Sequence, residues 1–201
     1  VYSILFIIVL ISSFTFIIIN NTHDELQEKI HTLKTDYTNN QKELIKNHVN
    51  YIINFIDYYN ETFKDKKSQA EIQKEILETI EKLRVNQNPN EYIFIYDFNG
   101  KLIQDAVSKN NIGENFYNLK DINGKEVIKE LITTSQKKHG GYVEYVWYKP
   151  EISKQTNKIS YSLSYNKWNW TIGKGVYLDE IDKLVKIKEE EFNQKISNYT
   201  L

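Results

Sequence analysis

The clearest structural pattern in the sequence lies in three stretches of its second half: HGGYVEYVWYKP (139–150), KISYSLSY (158–165) and WNWTIGKGVY (168–177). In each stretch, aromatic and β-branched residues alternate with polar residues, and this alternation is typical of β-strands. Gly-Gly, Lys-Pro and Asn-Lys pairs bound the stretches and indicate turns. The sequence therefore predicts three consecutive antiparallel strands.

Two Asp-x-Asn-Gly sequences precede these strands. The first, at 97–100, follows the apolar run YIFIY (92–96) and predicts a hairpin to a short strand around Leu102 and Ile103, because Asn-Gly is a strong hairpin signal. The second, at 121–124, precedes a predicted helix over 125–138. A calcium loop would need a third oxygen ligand before the Gly and a Glu after it, so both sequences are interpreted as turns.

The composition argues against several classes of function. Lys and Arg (26) nearly balance Asp and Glu (27), and the net charge of −1 provides no basic field for nucleic acid. Cys is absent, and the four His residues lack metal-ligand spacing, so neither a metal nor a cofactor is predicted. The sequence contains no evident Ser/His/Asp arrangement, and we therefore do not predict an enzyme.

The N-terminal segment, residues 1–20, is predicted to be a transmembrane helix. From Tyr2 to Ile19 it carries no charge and is dominated by Ile, Phe, Leu and Val, with a length close to that needed to cross a hydrocarbon core of about 30 Å. A secretory signal peptide usually has an apolar region of about 7 to 15 residues and a small-residue cleavage site. Asn-Asn-Thr follows here instead, which favours an uncleaved anchor.

Helical periodicity covers three further segments, 21–60, 68–87 and 178–200. The first has one apolar stripe, typical of a helix that pairs with another helix, and the stripe widens after Lys46 enough to cover a sheet. The predicted sheet occupies 91–177, between the second and the last helix. The sequence therefore predicts an α+β fold in which a long helix packs on an antiparallel sheet and is preceded by the membrane segment.

The order of these segments closely resembles the single-Cache sensor domains of bacterial receptors. The resemblance rests on YIFIYDFNG (92–100), IGEN (112–115), KDINGK (120–125), GYVEYVWYKP (141–150), KISY (158–161) and WNWTIGKGVYLDEI (168–181). It covers about residues 20–198 and is specific, because it depends on an ordered series of motifs. It implies a PAS-like antiparallel sheet of about five strands within a sensor domain over 21–200, with a small-molecule pocket on the sheet face opposite the long helix.

Five residues are candidates for binding a ligand in that pocket: Tyr92, Asp105, Tyr145, Trp147 and Lys158. Strand alternation places Tyr145 and Trp147 on one face, where they serve as pocket walls or as ordinary core. The family often has a Lys at the motif that contains Lys158. This Lys either pairs with a ligand carboxylate or is a surface residue at the start of a strand.

Asp105 is a departure from the family. Many relatives have His-Pro after the second strand, where this chain has Asp105-Ala106. If Asp105 faces the pocket, it repels small carboxylates and favours an amine or amide ligand. If it faces solvent, Lys158 still argues for an acid.

The resemblance implies an extracytoplasmic sensor that binds a small polar molecule (a short carboxylate, amine or amide) and signals across the inner membrane to a cytoplasmic output, above all for chemotaxis. Histidine kinases and cyclic-dinucleotide enzymes are alternative outputs. We expect the sensor domain to be periplasmic or extracellular, the last helix to lead to a second membrane helix, and a homodimer to form through the stripe that contains Leu26 and Leu33. A membrane-anchored pilin-like subunit is the alternative from another class, although the apolar segment lacks the acidic residue of such subunits.

Overall fold

The computed structural model describes residues 2–83, 90 and 92–199. These residues form four α-helices and five strands, in the order α1 (Tyr2–Phe63), α2 (Gln69–Lys82), β1 (Ile93–Asp97), β2 (Leu102–Asp105), α3 (Val127–Ser135), β3 (Gly141–Lys149), β4 (Lys154–Tyr165), β5 (Trp170–Tyr177) and α4 (Asp179–Tyr199). Short 3-10 turns lie at Lys109–Asn111 and Asn166–Trp168. The predicted α+β class is confirmed.

The five strands form one antiparallel sheet in the order β2-β1-β5-β4-β3. The three strands predicted from aromatic alternation are confirmed as β3, β4 and β5. Lys158 on β4 pairs with Tyr145 on β3 and with Tyr177 on β5. Because directly paired residues project to the same face of a sheet, these three side chains emerge together.

The two Asp-x-Asn-Gly sequences are turns, as predicted. The Asp97 carboxylate accepts hydrogen bonds from the backbone N–H groups of Asn99 and Lys101. The Asp121 carboxylate accepts the equivalent bonds from Asn123 and Lys125. The helix predicted over 125–138 is shorter, Val127–Ser135, because the second turn still holds Lys125 and the helix is capped at Gln136.

The predicted membrane segment and long helix are one continuous helix, α1, which ends at Phe63. It contains a window of mean hydropathy 2.5 that could cross a membrane by length and composition. Val1 lies outside the described residues. The chain then turns at the polar residues 64–67, and Ser68 begins α2 through a capping box with Glu71. That helix ends at Lys82, and residues 84–87 of the predicted helix lie outside the described residues.

The chain divides into two compact units, of which residues 40–179 form the first. Here α1 and α2 cover one face of the sheet. Their buried side chains meet the strand residues that face the helices in one apolar cluster: Ile45, Val49, Ile52, Ile56, Ile72, Ile76, Ile80, Ile95, Tyr161, Tyr165, Trp170 and Ile172. The apolar surface that widens after Lys46 therefore covers a sheet, as predicted.

The second unit comprises residues 1–39 and 180–201. Within it the early part of α1 packs against α4. Ile30, Ile181 and Val185 are buried there, and Leu26, Leu33 and Tyr37 pack around them. The stripe predicted to pair with another helix thus contacts α4 of the same chain. The predicted segment 178–200 corresponds to α4, and its last residue lies outside the described residues.

Candidate functional site

The second face of the sheet carries a small cavity under α3. Two buried hydrogen bonds fix α3 on this face: the Ser162 hydroxyl donates to the Leu131 carbonyl oxygen (2.9 Å), and the hydroxyls of Ser135 and Thr171 lie 2.9 Å apart. The cavity is lined by side chains from the strands, from the segment before β1 and from α3: Tyr92, Phe94, Tyr96, Asp105, Val127, Ile128, Leu131, Tyr145, Trp147 and Lys158.

All five residues predicted to bind a ligand line this cavity. Tyr92 comes directly before β1, Asp105 is the last residue of β2, Tyr145 and Trp147 lie on β3, and Lys158 lies on β4. The structure thus brings together residues that are up to 66 positions apart in the sequence.

Lys158 is the least expected feature of the cavity, because its side chain is 1% exposed. Its Nζ donates a 2.7 Å hydrogen bond to the Tyr92 hydroxyl and lies 4.3 Å and 4.7 Å from the ring centroids of Tyr92 and Tyr177. Burial lowers the pKa of the Lys158 amine to about 7, while the charge of Asp105 acts in the opposite direction. The alternative of a surface Lys at a strand start is wrong.

Asp105 is 6% exposed and faces the cavity rather than solvent. Its Oδ1 accepts hydrogen bonds from the backbone N–H groups of Val107 (2.7 Å) and Ser108 (3.0 Å), which form the turn after β2. Bonds from backbone N–H groups stabilise the charged form of a carboxylate. The cavity wall therefore carries one acidic and one basic side chain in apolar, aromatic surroundings.

Tyr145 and Trp147 belong to both the cavity wall and the core. The Tyr145 hydroxyl lies 2.7 Å from the Ser160 hydroxyl, and its ring meets Trp147 edge-to-face with centroids 5.6 Å apart. Burial raises the pKa of Tyr145 above its ordinary value, so the phenol is neutral near pH 7. Both residues also pack in the apolar cluster under α3, so the two interpretations of the alternation hold together.

The cavity has a volume of about 10 Å³, which is the room that a single water molecule needs. A ligand of several heavy atoms would fit only if α3 or the aromatic side chains moved outward. A larger surface groove of about 360 Å³ lies between α1 and α4. It is lined mainly by Lys, Glu and apolar residues that are exposed or half-buried, whereas the small cavity combines two buried ionisable groups, the more usual signature of a functional site.

A second polar cluster connects the cavity wall to the start of α4. Tyr177, whose ring lies beside Lys158, donates a 2.6 Å hydrogen bond from its hydroxyl to the Tyr148 carbonyl oxygen. Lys149, 2% exposed, contacts both carboxylate oxygens of Asp179 at 2.7 and 2.8 Å and lies 5.6 Å from the Tyr177 ring. Sequence reasoning missed both Tyr177 and Lys149, although the alternation along β5 places Tyr177 on the cavity face.

Among the described residues, no group of three or more His, Cys, Asp or Glu side chains could hold a metal ion. What the cavity offers chemically is a hydrogen-bond donor on Lys158, an acceptor on Asp105, and aromatic walls. This set can bind and orient a small polar molecule.

Comparisons with known proteins agree with this geometry. Residues 37–191 match the family model described as Single Cache domain 2. The chain is 40% identical over 90 residues to sensor histidine kinase MctS of Rhizobium johnstonii, an alignment that covers 45% of this chain and 19% of that protein. It spans about a fifth of the length of the curated relatives that it matches.

Two solved structures have the same fold. A methyl-accepting chemotaxis protein from Vibrio parahaemolyticus aligns with a TM-score of 0.66 at 27% identity, over 76% of this chain and 99% of that chain. A structure described as the basis for carboxylic acid recognition by a Cache chemosensory domain aligns with a TM-score of 0.60 at 25% identity, over 73% of this chain and 97% of that chain.

Proposed function

Because the chain belongs to the single Cache domain 2 family, we propose that it is the periplasmic or extracellular sensing part of an inner-membrane receptor, most directly a chemoreceptor. It binds a small polar molecule in the cavity under α3 and transmits the binding event to a cytoplasmic output. The observation that carries this proposal is the presence of two buried ionisable side chains, Lys158 and Asp105, in the wall of one aromatic cavity. A sensor histidine kinase is the second candidate, supported by the 40% identity to MctS.

The two charged side chains define the ligand that we propose. A Lys158 ammonium has three N–H donors; one is directed to the Tyr92 hydroxyl, and the rings of Tyr92 and Tyr177 lie beside the same Nζ. A ligand oxygen placed there would accept a charge-assisted hydrogen bond worth about 1.5 to 3 kcal/mol. A carboxylate or an amide can each supply that oxygen.

Asp105 distinguishes between these ligands. A carboxylate bound to Lys158 would bring a second negative charge into the same buried space, whereas an amide or an amine would donate an N–H to Asp105. Carboxylic acid recognition by a similar Cache domain supports a short acid as the ligand. Asp105 supports a ligand that also donates an N–H hydrogen bond to its carboxylate. For four to six heavy atoms, a ceiling of about 1.5 kcal/mol per atom limits binding to roughly 6 to 9 kcal/mol.

Signalling in this proposal is a shift between a closed and a ligand-bound population. The described conformation has a cavity of about 10 Å³, so ligand entry requires the walls to move. Lys158 is paired with Tyr177 at the end of β5, and Lys149 holds Asp179, the first residue of α4. A ligand that binds Lys158 more tightly in one position of β5 would therefore bias the start of α4. Only the difference in affinity between the two states drives such a shift.

A thermal-shift screen with matched ligand pairs tests the proposal. Acetate is compared with acetamide and propionate with propionamide, because each pair differs in charge and donors but hardly in size. A bound ligand at 100 times its Kd stabilises by about 2.7 kcal/mol, and roughly 5 to 10 °C is expected for a domain of this size.

Two cavity variants and two surface controls make the screen specific. Lys158→Met is expected to abolish the shift, and Asp105→Asn to move the preference toward the acid of each pair. The exposed residues Lys154 and Asp65 supply the controls Lys154→Met and Asp65→Asn, which are expected to behave like the wild type. If no small acid, amine or amide stabilises the wild type, or if both cavity variants respond as the wild type does, the proposed ligand site is wrong.

The same proposal includes a homodimer, as is expected for a receptor of this kind. The surface on which two copies would meet is a separate question, because Leu26 and Leu33 face α4 within one chain.

A further inference from the structure

The two most deeply buried Lys residues of the described chain have different surroundings. Lys149, 2% exposed, has the carboxylates of Asp179 at 2.7 Å and Glu151 at 3.7 Å. Lys158, 1% exposed, instead donates a hydrogen bond to a neutral phenol, the Tyr92 hydroxyl. A buried ammonium usually has a carboxylate in contact, whereas a neutral amine is stable in apolar surroundings. Lys158 therefore lies in an environment that favours a neutral amine, whose nitrogen lone pair is a nucleophile.

Packing holds the Lys158 side chain in one position. A Cβ at Gly175 on β5 would lie 2.5 Å from Lys158 Cε, so the stem of the Lys side chain occupies space that only a Gly leaves open. The rings of Tyr92 and Tyr177 lie beside the amine, with their centroids 4.3 and 4.7 Å from Nζ. Because Lys158 also lines the cavity under α3, its amine is fixed at the place that a bound molecule would occupy.

We propose that Lys158 forms a reversible covalent bond, an imine, with a short uncharged aldehyde that enters the cavity. The inference rests on the proposed function, because it requires the cavity to admit a small molecule, and it adds a chemical class of ligand. An acid or an amide can place its oxygen beside Nζ, but its carbonyl carbon resists attack by an amine. The carbon of an aldehyde reacts readily, as carbonyl substrates do with the active-site Lys of enzymes that form Schiff bases.

The reaction needs only the amine, the aldehyde and a group that moves protons. The Nζ lone pair attacks the aldehyde carbon, a C–N bond forms, and the π electrons of the C=O bond move to the oxygen. Both protons of the neutral amine then pass in turn to this oxygen, which leaves as water while the nitrogen lone pair forms the C=N bond. The Asp105 carboxylate, in the same cavity wall, is placed to accept each proton and return it. The products are one imine and one water molecule, and nothing is oxidised or reduced.

The cavity walls favour the imine and limit the aldehyde. Phe94, Leu131 and Trp147 are apolar wall residues, and the volume of about 10 Å³ is the room of one water molecule. A site that excludes bulk water protects a reactive intermediate from hydrolysis. The same small volume restricts the ligand to a few heavy atoms, and the negative charge of Asp105 disfavours a 2-oxo acid, which would bring a carboxylate into the cavity.

The protonation state of Lys158 distinguishes it from exposed Lys residues. Burial lowers the pKa of Lys158 to about 7, so about half of this amine is neutral at pH 7. An ordinary exposed Lys, with a pKa near 10.4, is neutral in about one molecule in a few thousand at that pH. At pH 7 Lys158 therefore has a nucleophilic fraction roughly a thousandfold larger, which offsets the slower entry of an aldehyde into a buried site.

Trapping with borohydride tests the imine in the wild-type chain, without a variant that could fail to fold. The intact chain is incubated with a limiting amount of acetaldehyde, sodium borohydride reduces the C=N bond to a stable ethylamine, and peptide mapping locates the label. Lys154, exposed on the same strand, is the internal reference. Lys158 is expected to carry at least ten times more label than Lys154 at pH 7. This ratio should fall at least tenfold at pH 9, because ordinary exposed Lys residues then gain free amine.

The outcomes separate the imine from the sensor proposal. Equal labelling of Lys158 and Lys154 at pH 7, or a ratio that does not fall at pH 9, would overturn the imine. The thermal-shift screen is run on the same preparation. Stabilisation by acetate or acetamide without preferential labelling of Lys158 would refute the imine and leave the proposed sensor intact. Preferential labelling without stabilisation by any acid, amine or amide would support the imine and refute the noncovalent ligand of the proposed function.

Discussion

Replacing Lys158 with Met should make the stability of the domain much less dependent on pH. In the folded chain the pKa of Lys158 is about 7, lowered from 10.5 mainly by burial. Between these two values the unfolded chain holds a proton on Lys158 that the folded chain has released. Stability therefore rises with pH through this window, and the destabilising effect of the buried charge is fully present below about pH 7.

The size of the effect follows from the shift. The pKa of Lys158 is lower by 3.5 in the folded chain than in the unfolded chain. At 1.36 kcal/mol for each pKa unit, this difference corresponds to about 5 kcal/mol of folding stability across the whole window. Between pH 7 and pH 9 the expected change is about 2 kcal/mol, because Lys158 is still half protonated at pH 7 in the folded state. The 1% exposure of the side chain means that solvent screening does not reduce this figure appreciably.

Urea unfolding at pH 6, 7, 8 and 9 measures the change. The free energy of unfolding of Lys158→Met minus that of the wild type is expected to be several kcal/mol at pH 6 and to fall by about 2 kcal/mol from pH 7 to pH 9. The lost hydrogen bond to Tyr92 subtracts about 1 kcal/mol from this difference when the amine is neutral and somewhat more at pH 6, where the amine is charged. Other titrating groups cancel in the difference. Lys154→Met, at an exposed position of the same strand, is the control. A difference between Lys158→Met and the wild type that stays flat from pH 7 to pH 9 would refute the argument.

Three further predictions concern the same region. Tyr92→Phe removes the hydrogen-bond partner of Lys158 and is expected to cost about 1 to 3 kcal/mol at pH 6 but less at pH 9, where the amine is neutral, as urea unfolding at both pH values would reveal. Asp179→Asn removes the nearest carboxylate of the buried Lys149 and leaves Glu151 at 3.7 Å, so it should cost about 1 to 3 kcal/mol. Lys149→Met should cost less, and equal losses in calorimetry would count against a buried ion pair. A Cβ at Gly175 would overlap the Ser160 hydroxyl and Lys158 Cε, so Gly175→Ala should lose about 1 to 3 kcal/mol and weaken the ligand response, and an unchanged Tm would contradict this packing.

Local pattern was enough to predict most of the sheet. The alternation in β3 and β5 and the Asn-Gly turn after β1 are short-range signals, and each requires only neighbouring residues to be interpreted. The same signals assigned Tyr145 and Trp147 to one face correctly. They could not predict that Lys158 is buried. Alternation with a period of two residues assigns a residue to one face of the sheet, but it does not show whether another element covers that face.

The choice of partner was the part that the sequence left undetermined. The stripe through Leu26 and Leu33 correctly indicated a helix–helix contact, but the contacting helix is α4, which follows some 150 residues later. The Lys-Pro pair at 149–150 indicates only a turn, whereas the buried Lys149 pairs with Asp179, which lies 30 positions away. The sequence can predict that an apolar stripe or a buried charge contacts another element. Which element it contacts depends on the three-dimensional packing of segments that are distant in the sequence.

The burial of Lys158 also determines how much free energy a ligand could contribute to switching. Moving a two-state equilibrium from 1:99 to 99:1 requires about 5.5 kcal/mol of differential affinity. A ligand oxygen beside Nζ would raise the pKa of Lys158 from about 7 toward 10.5, and a complete return, about 5 kcal/mol, is the upper limit of this effect. A surface Lys would keep its hydration in both states, so the same hydrogen bond would discriminate little between them. The buried amine weakens the fold at neutral pH, but it gives a ligand acceptor a charge-assisted hydrogen bond of about 1.5 to 3 kcal/mol, a substantial part of what switching requires. That effect acts on the residue paired with Tyr177, where β5 leads into α4.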